Sequence, residues 1–391
     1  MARQASLQSE LESLAGAARA GSEADAVDGV VPQAVARPAT ADAMAEIVRY
    51  ANAHGLAVIP LGGRQHRGLG NIPARYDIAL DTTALNAVVD YEPEDLTITC
   101  QAGITIGALR AATGAAGQMV PFDPDIPDKA TVGGVLAADA WGASRLSLGA
   151  ARDFTIGLRV VTGDGLISRA GGRVVKNVAG YDMCKLYIGS LGTLAVITEA
   201  TFKTLPLPHA THDLAHQFAS AADACSIANE ALLRGLSLRS AVVTRAGDRW
   251  ALHLALAASE AAVERSVSEI AALASEAGGE TASAVSAEVH PVRVRLATLP
   301  SRLPGLLGDL PATATVSAYP TLGVARVGFN DNAALSPVNG AKMIVEMCPP
   351  DAKQAMDVFG RAPQSLPLMR ALKERLDPNA VLSPGRSVGR L

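Results

Sequence analysis

The stretch KNVAGYDMCKLYIGSLGTL (176–194) sets Gly180, Gly189 and Gly192 inside a run otherwise apolar enough for a core. Only a residue without Cβ lets backbone come close to another segment or to a ligand, so glycines between apolar runs mark such approaches. Asp182 is placed to cap a short helix that it begins. Tyr181 reads as a structural neighbour of that cap, and Lys176 brings a cation to the segment. Two other stretches share this character of small residues with little bulk. One is PLGGRQHRGLG (60–70), directly after a buried strand. The other is PFDPDIPDKATVGGVLAADAWG (121–142), where Thr131, Gly133 and Gly134 open a short helix. Consecutive main-chain N–H groups at a tight turn or a helix start form a cradle for anionic phosphate. Two such cradles in one domain suit a pyrophosphate.

The common nucleotide patterns fail. No strand-turn-helix G-x-G-x-x-G occurs where a Rossmann unit needs one. Gly63 and Gly68 have P-loop spacing, but Leu69 stands where a lysine is required.

The chain has 391 residues, 49% hydrophobic and 18% charged, so a large core is expected and disorder is not. A net charge of −4 offers no electrostatic footprint for nucleic acid. The N-terminal MARQASLQSELESLAGAARA lacks the apolar centre of a signal peptide and reads as an amphipathic helix. No run of eighteen apolar residues predicts a membrane span. Cys100, Cys184, Cys225 and Cys348 are scattered with no C-x-x-C, which argues against a disulfide framework, a zinc site or an iron–sulfur cluster held by this chain. A cytoplasmic location is expected.

Strands and helices alternate up to the proline-punctuated LPLP (205–208). Residues 40–54 show helical spacing behind Thr40, LAVIPLGG (56–63) is a buried strand entering a glycine turn, and further helices fall at 105–113 and 131–139. Strand patterns follow at YDIAL (76–80) and DLTITCQAG (95–103). FTIGLRVVTGDGLISRAGG (154–172) is a hairpin turning at Gly163-Asp164-Gly165. Beyond 208 the order becomes strand, helix (219–234), strand (236–244), strand (249–257), helix (258–276). VRVRLA, a helix near 301–308, TATVSAYP, GVARVGF and AKMIVEMC then supply more of the same. That is the split βαβ, ferredoxin-like pattern.

VIPLGG, PFDP…ATVGG, GAARDFTIGLRVVTGDG and KNVAGYDMCKLYIGSLGTLAVIT occur in this order with fitting gaps. Together they resemble the FAD-binding domain of the vanillyl-alcohol-oxidase superfamily, also called PCMH-type. The short chain and the closing SPGR resemble the FAD-binding E subunits of bacterial glycolate oxidases. The resemblance implies an α+β, two-domain flavoprotein that holds one FAD non-covalently. Its expected parts are an N-terminal helix (1–29), the FAD-binding domain (30–206), a smaller ferredoxin-like cap (207–347), and a C-terminal helix and tail (348–391) returning to the FAD domain. The first phosphate loop would be Leu61, Gly62, Gly63, Arg64, Gln65 and His66. The second contact region would be Thr131, Val132, Gly133 and Gly134. Asp139 stands where many relatives have asparagine beside the flavin. Gly149, Arg152 and Asp153 match the GA-x-RD turn, and Ile197 the position whose backbone meets adenine. Some superfamily members bond flavin to a histidine of the first loop; here His66 reads as facing solvent or phosphate. Arg64 and Arg67 are candidate phosphate partners, and Lys176 a cation near flavin or pyrophosphate.

Larger relatives that oxidise 2-hydroxy acids carry a metal-and-histidine motif, H-x-G-D-G-N-x-H, that this sequence lacks. His209, His212 and His216 read as polar residues at a strand edge rather than metal ligands, and no metal is expected. Trp250 reads as core. Arg293 and Arg295 share a strand face that could bind a carboxylate, although a solvated sheet surface is the commoner outcome. The expected function is therefore that of an FAD-binding subunit in a 2-hydroxy-acid (glycolate or D-lactate) dehydrogenase complex. A larger flavin subunit would oxidise the substrate, and this chain would relay electrons toward an iron–sulfur subunit and quinone. The alternatives are a self-sufficient FAD oxidoreductase using His253, His290 or Tyr319 as base, and a non-catalytic FAD-binding assembly subunit.

Overall fold

The computed structural model describes residues 2–173, 180–282, 290–331, 335 and 338–391; Lys176, with 174–179, lies outside the described residues. The chain divides into two compact units. One is Met1–Gly142 with Ala150–Pro206 and Lys353–Leu391; the other is Ala143–Gly149 with Leu207–Ala352.

The first unit holds two main sheets. Strands β1 (Ala18–Ala20), β2 (Ala34–Ala36), β3 (Val58–Leu61) and β4 (Ile78–Asp81) lie in the order β1-β2-β4-β3, with β2, β4 and β3 parallel. Parallel neighbours need a crossover, and the helix Ala41–Ala53 supplies it between β2 and β3. Thr40 starts that helix, its hydroxyl accepting from the Ala43 amide at 3.1 Å. Met44, Ile47 and Val48 on one helix face are buried with Leu7 and Leu11 of the N-terminal helix Ala2–Ala15.

Strands β5 (Val88–Glu92) and β6 (Thr97–Gln101) join a second, antiparallel sheet; β7 (Gln118–Met119) pairs apart from it. This sheet is completed by β8 (Thr155–Val161), β9 (Ile167–Gly171) and β10 (Val196–Lys203), in the order β5-β6-β10-β8-β9; β11 (Leu205–Pro206) partners β7. The β8–β9 hairpin turns where glycine spacing predicts. Asp164 accepts from the Thr162 hydroxyl and the Leu166 amide, and Gly165 sits at φ +78°. Any Cβ on Gly165 would press under 3.0 Å on the Ala45 carbonyl, so packing as well as φ demands glycine there.

The tail closes the first sheet. The Val58 amide donates to Val381 O at 2.7 Å, and the Ser383 amide to Val58 O at 2.9 Å, alongside β3. Lys373 of helix Leu366–Leu376 is buried; its Nζ donates to Thr193 O and Leu382 O and pairs with Asp377. The Asp377 oxygens in turn accept the Val381 and Leu382 amides.

The second unit is one eight-stranded antiparallel sheet. Its strands are β12 (Ala210–Phe218), β13 (Leu238–Ala246), β14 (Arg249–Ala258), β15 (Glu280–Thr281), β16 (Val292–Ala297), β17 (Thr315–Tyr319), β18 (Val324–Phe329) and β19 (Lys342–Met347). The order is β15-β12-β14-β13-β17-β18-β16-β19. Strands β12 to β15, with helices Ala221–Leu233 and Glu260–Glu276, follow β-α-β-β-α-β and take the spatial order fourth-first-third-second. That is the ferredoxin-like arrangement expected from the sequence. Strands β16 to β19, with helix Leu303–Gly308, repeat the same strand order, and the two halves join edge to edge through β13 and β17. The α+β class with a ferredoxin-like part thus holds, and the second unit carries its strand order twice.

Among the described residues no helix is long and apolar enough to cross a membrane.

Candidate functional site

In the first unit β3 ends at Leu61 and the chain turns through Gly62 and Gly63 directly against residues 129–131. A Cβ on Gly62 would come under 3.0 Å from the Thr131 hydroxyl, and one on Gly63 under 3.0 Å from the Lys129 carbonyl. These two glycines are therefore fixed by one loop crossing another. Thr131 knots the crossing. Its Oγ1 accepts from the Gly134 amide at 3.3 Å, capping helix Val132–Ala138, and from the Gly63 amide at 3.4 Å. Beside the knot lies an open cleft with about 820 Å³ of empty space, mouth included. Leu61, Gly62, Gly63, Arg64, Gln65, His66, Thr131, Gly133, Gly134 and Ile197 all line it. Sequence positions 136 apart (61 and 197) meet there because β3 ends and β10 begins at the same wall.

The polar groups of the wall differ in availability. The Val132 and Gly133 amides already donate to Ile104 O and Ala102 O, and the Gly134 amide to Thr131. The second region therefore contributes shape and the Thr131 knot more than open donors. Among the described residues, the amides of Gly62, Arg64, Gln65 and Arg67 donate to no backbone carbonyl, which leaves the first loop as the richer donor set. Arg64 sits in the left-handed region at φ +59°, a conformation that turns successive amides to one side. Its guanidinium points to carboxylates, 3.3 Å from Asp25 Oδ1 and 3.2 Å from Asp81 Oδ2. Asp25 is also clasped by Arg19, and that hydrogen bonding holds its carboxyl well below the usual range. Arg67 donates to Ala24 O and Ala26 O. The two arginines read from sequence as phosphate partners thus have acceptors within the chain.

The cleft is also lined by Val27, Thr82, Leu191, Gly192 and Arg386. Arg386 comes from the closing SPGR, 4% exposed, and donates through Nη2 to Arg67 O at 2.8 Å and to Leu69 O. The SPGR signal pointed to this end of the chain; only the fold shows that it reaches the cleft. The loop with open amides, the glycine-bare wall and a buried cation fit the FAD that the sequence resemblance implies.

Val132, Asp139, Gly149, Arg152 and Asp153 do not line the cleft. Val132 is buried in the core. Asp139 ends helix Val132–Ala138 at φ +46°, a left-handed position that aspartate tolerates. Gly149 belongs to the second unit, while Asp153 accepts the Ala150 amide at 3.0 Å to cap its own short helix. Within 180–194, Asp182 accepts the Lys185 amide and caps helix Met183–Tyr187, and Tyr181 is 94% exposed. The GSLG segment wraps the end of the neighbouring helix. The Gly189 amide donates to Leu136 O and the Leu191 amide to Ala137 O, so two carbonyls of the helix's last turn take donors from this segment. Gly192 at φ +69° then crosses Pro60 at the cleft wall.

In the second unit His209 and His212 are exposed and His216 is buried, so they do not converge. Trp250 is core, covered by the Arg245 guanidinium at 4.7 Å from its ring centre. Arg293 and Arg295 share a face as expected, and the carboxylate they meet is the chain's own Glu346, at 3.1 and 3.7 Å.

Residues 32–171 match a family model described as a FAD binding domain. The chain is 43% identical over 136 residues to glycolate oxidase subunit GlcE of Escherichia coli, covering 34% of this chain and 39% of that one. It is 36% identical over 177 residues to a D-2-hydroxyglutarate dehydrogenase of Xanthomonas citri pv. viticola, covering 45% of this chain and 38% of that one. It is 35% identical over 179 residues to glycolate oxidase subunit GlcD of Bacillus subtilis, covering 46% and 38%. The matched region spans about two fifths of each of these relatives. Among solved structures, p-cresol methylhydroxylase with substrate bound superposes with a TM-score of 0.72 at 14% identity, over 97% of this chain and 96% of that one. An alkyldihydroxyacetonephosphate synthase superposes with a TM-score of 0.68 at 18% identity, over 91% and 77%. These structural likenesses concern the fold.

Proposed function

We propose, on the premise that residues 32–171 belong to the FAD-binding domain family, that this chain is the FAD-carrying subunit of a 2-hydroxy-acid dehydrogenase complex of the glycolate oxidase kind. The observation that carries the reading is the 43% identity with a GlcE subunit over 136 residues. Bound FAD would supply a two-electron acceptor. The chain's own part is to hold it: the Gly62–Arg67 loop would offer amides to the phosphates, and Ile197, which lines the same cleft, would be the residue whose backbone meets adenine.

Oxidising a hydroxy acid also calls for a base at the hydroxyl and a cation or metal at the carboxylate. The three candidate bases named from the sequence have partners of their own. His253 bonds Thr244 at 3.0 Å, His290 bonds Asn330 at 2.9 Å, and Tyr319 meets Arg326. The reading therefore assigns substrate oxidation to a larger flavin subunit. It makes an iron–sulfur subunit and quinone the onward path, in a cytoplasmic complex.

Purification of the tagged chain from its native host, followed by turnover with glycolate and D-lactate and an artificial acceptor, tests this. Yellow protein that turns over only with co-purifying subunits supports the proposal. A second reading, a self-sufficient oxidoreductase, draws on 30% identity over 225 residues to a D-lactate dehydrogenase of Archaeoglobus fulgidus, half of that protein's length. Full activity of the isolated chain would establish it and overturn the first. A chain that keeps FAD but supports no turnover in any combination would make it an assembly subunit.

A further inference from the structure

Arg386 is the least expected residue of the cleft wall. Its Nη2 is fixed by the Arg67 and Leu69 carbonyls, which hold the guanidinium plane against the loop. Its Nη1 is buried and has no hydrogen-bond partner; the nearest acid is Asp28, with Oδ2 at 3.6 Å. Asp28 is itself shared, since Lys353 Nζ takes its Oδ1 at 2.6 Å. One carboxylate thus faces two buried cations. Burial already disfavours the charged form of Arg386, with Asp28 opposing that. Leaving a charged donor buried and unbonded is costly, and guanidinium is the group best shaped to take a phosphate oxygen. The other two guanidiniums of the wall, on Arg64 and Arg67, point to Asp25, Asp81, Ala24 and Ala26.

We propose that Arg386 is a pyrophosphate-binding residue, its Nη1 donating to a phosphate oxygen of the dinucleotide held in the cleft. This rests on the FAD reading above. The C-terminal SPGR then has two tasks: it staples the Arg67–Leu69 turn in place, and it presents a cation beside the open amides of that same loop.

Flavin-free full-length protein is titrated with FAD, ADP and adenosine, the last two by competition, for the wild type, Arg386→Lys and Arg386→Gln. Thermal melting identifies which variants remain folded. Losing a charge-assisted hydrogen bond should weaken ADP and FAD on the order of 10- to 100-fold in Arg386→Gln. Arg386→Lys should lose less, and adenosine should be unchanged in both. The ratio of ADP to adenosine affinity decides, read in whichever variant melts like the wild type. A purely structural staple would weaken both ligands together and leave that ratio constant, which overturns the proposal. A wild-type chain that takes up no FAD overturns this proposal and the cofactor reading alike. A wild type that binds FAD with the ratio unmoved in a folded variant overturns only the role of Arg386.

Discussion

Gly63 shows how little slack the site leaves. With the Lys129 carbonyl under 3.0 Å from any Cβ, neither loop can yield without dragging a backbone, so Gly63→Ala should cost about 1–3 kcal/mol or more and lower flavin per chain. Gly114 ends helix Ile106–Gly114 with nothing within 4 Å of its Cβ position, so Gly114→Ala should be neutral or gain up to about 1 kcal/mol. Urea unfolding and flavin absorbance of the two variants check the contrast. Two histidines set the pH response. Burial lowers the proton affinity of both His216 and His253 below the ordinary 6.5. The unfolded chain then takes up protons near pH 6.5 that the folded chain refuses. Stability is unaffected well above that pH and falls as pH drops below about 6.5. The urea midpoint should decline between pH 7 and 5, and His216→Gln should flatten the decline. The sequence showed glycines needing close approach at 62–63 and 189–192; it could not show that most of the approach is chain against chain, because those partners lie many positions away.

At the scale of elements, local signals proved readable and distant ones did not. Thr40, Thr105 and Thr131 each accept an amide three residues on, at the helix starts that spacing predicts. Capping is decided within one turn, so sequence suffices. The repeated β-α-β-β pattern was legible for the same reason. The joint between its halves, β13 on β17, depends on two strands 70-odd positions apart with no mark of their own. Asp28, Lys353 and Arg386 likewise meet only in the fold. The tail helix gives a direct test. Lys373 is buried with its ammonium on Asp377, Thr193 and Leu382, so Lys373→Met strands a buried carboxylate and should cost about 3–5 kcal/mol. Guanidinium unfolding would show it, and a loss under about 1 kcal/mol would mean the pair carries little.

For the whole molecule, the first unit is discontinuous while residues 207–352 are consecutive within the second. A chain ending at residue 352 lacks the Val381–Ser383 segment beside β3, Lys373 and Arg386. Such a chain should retain the second unit's sheet by circular dichroism and hold no flavin. Flavin retained at wild-type level would contradict the place given to the tail. The same discontinuity bears on biosynthesis. Domains emerging from a ribosome generally fold in the order they are made, yet here the first-made segments wait for the last. The second unit's residues 207–352 are all available before Lys373 or Arg386 exists. With Arg386 in the role proposed above, cofactor loading follows the synthesis of the tail, and a nascent chain cut short before it is left without the means to acquire its colour.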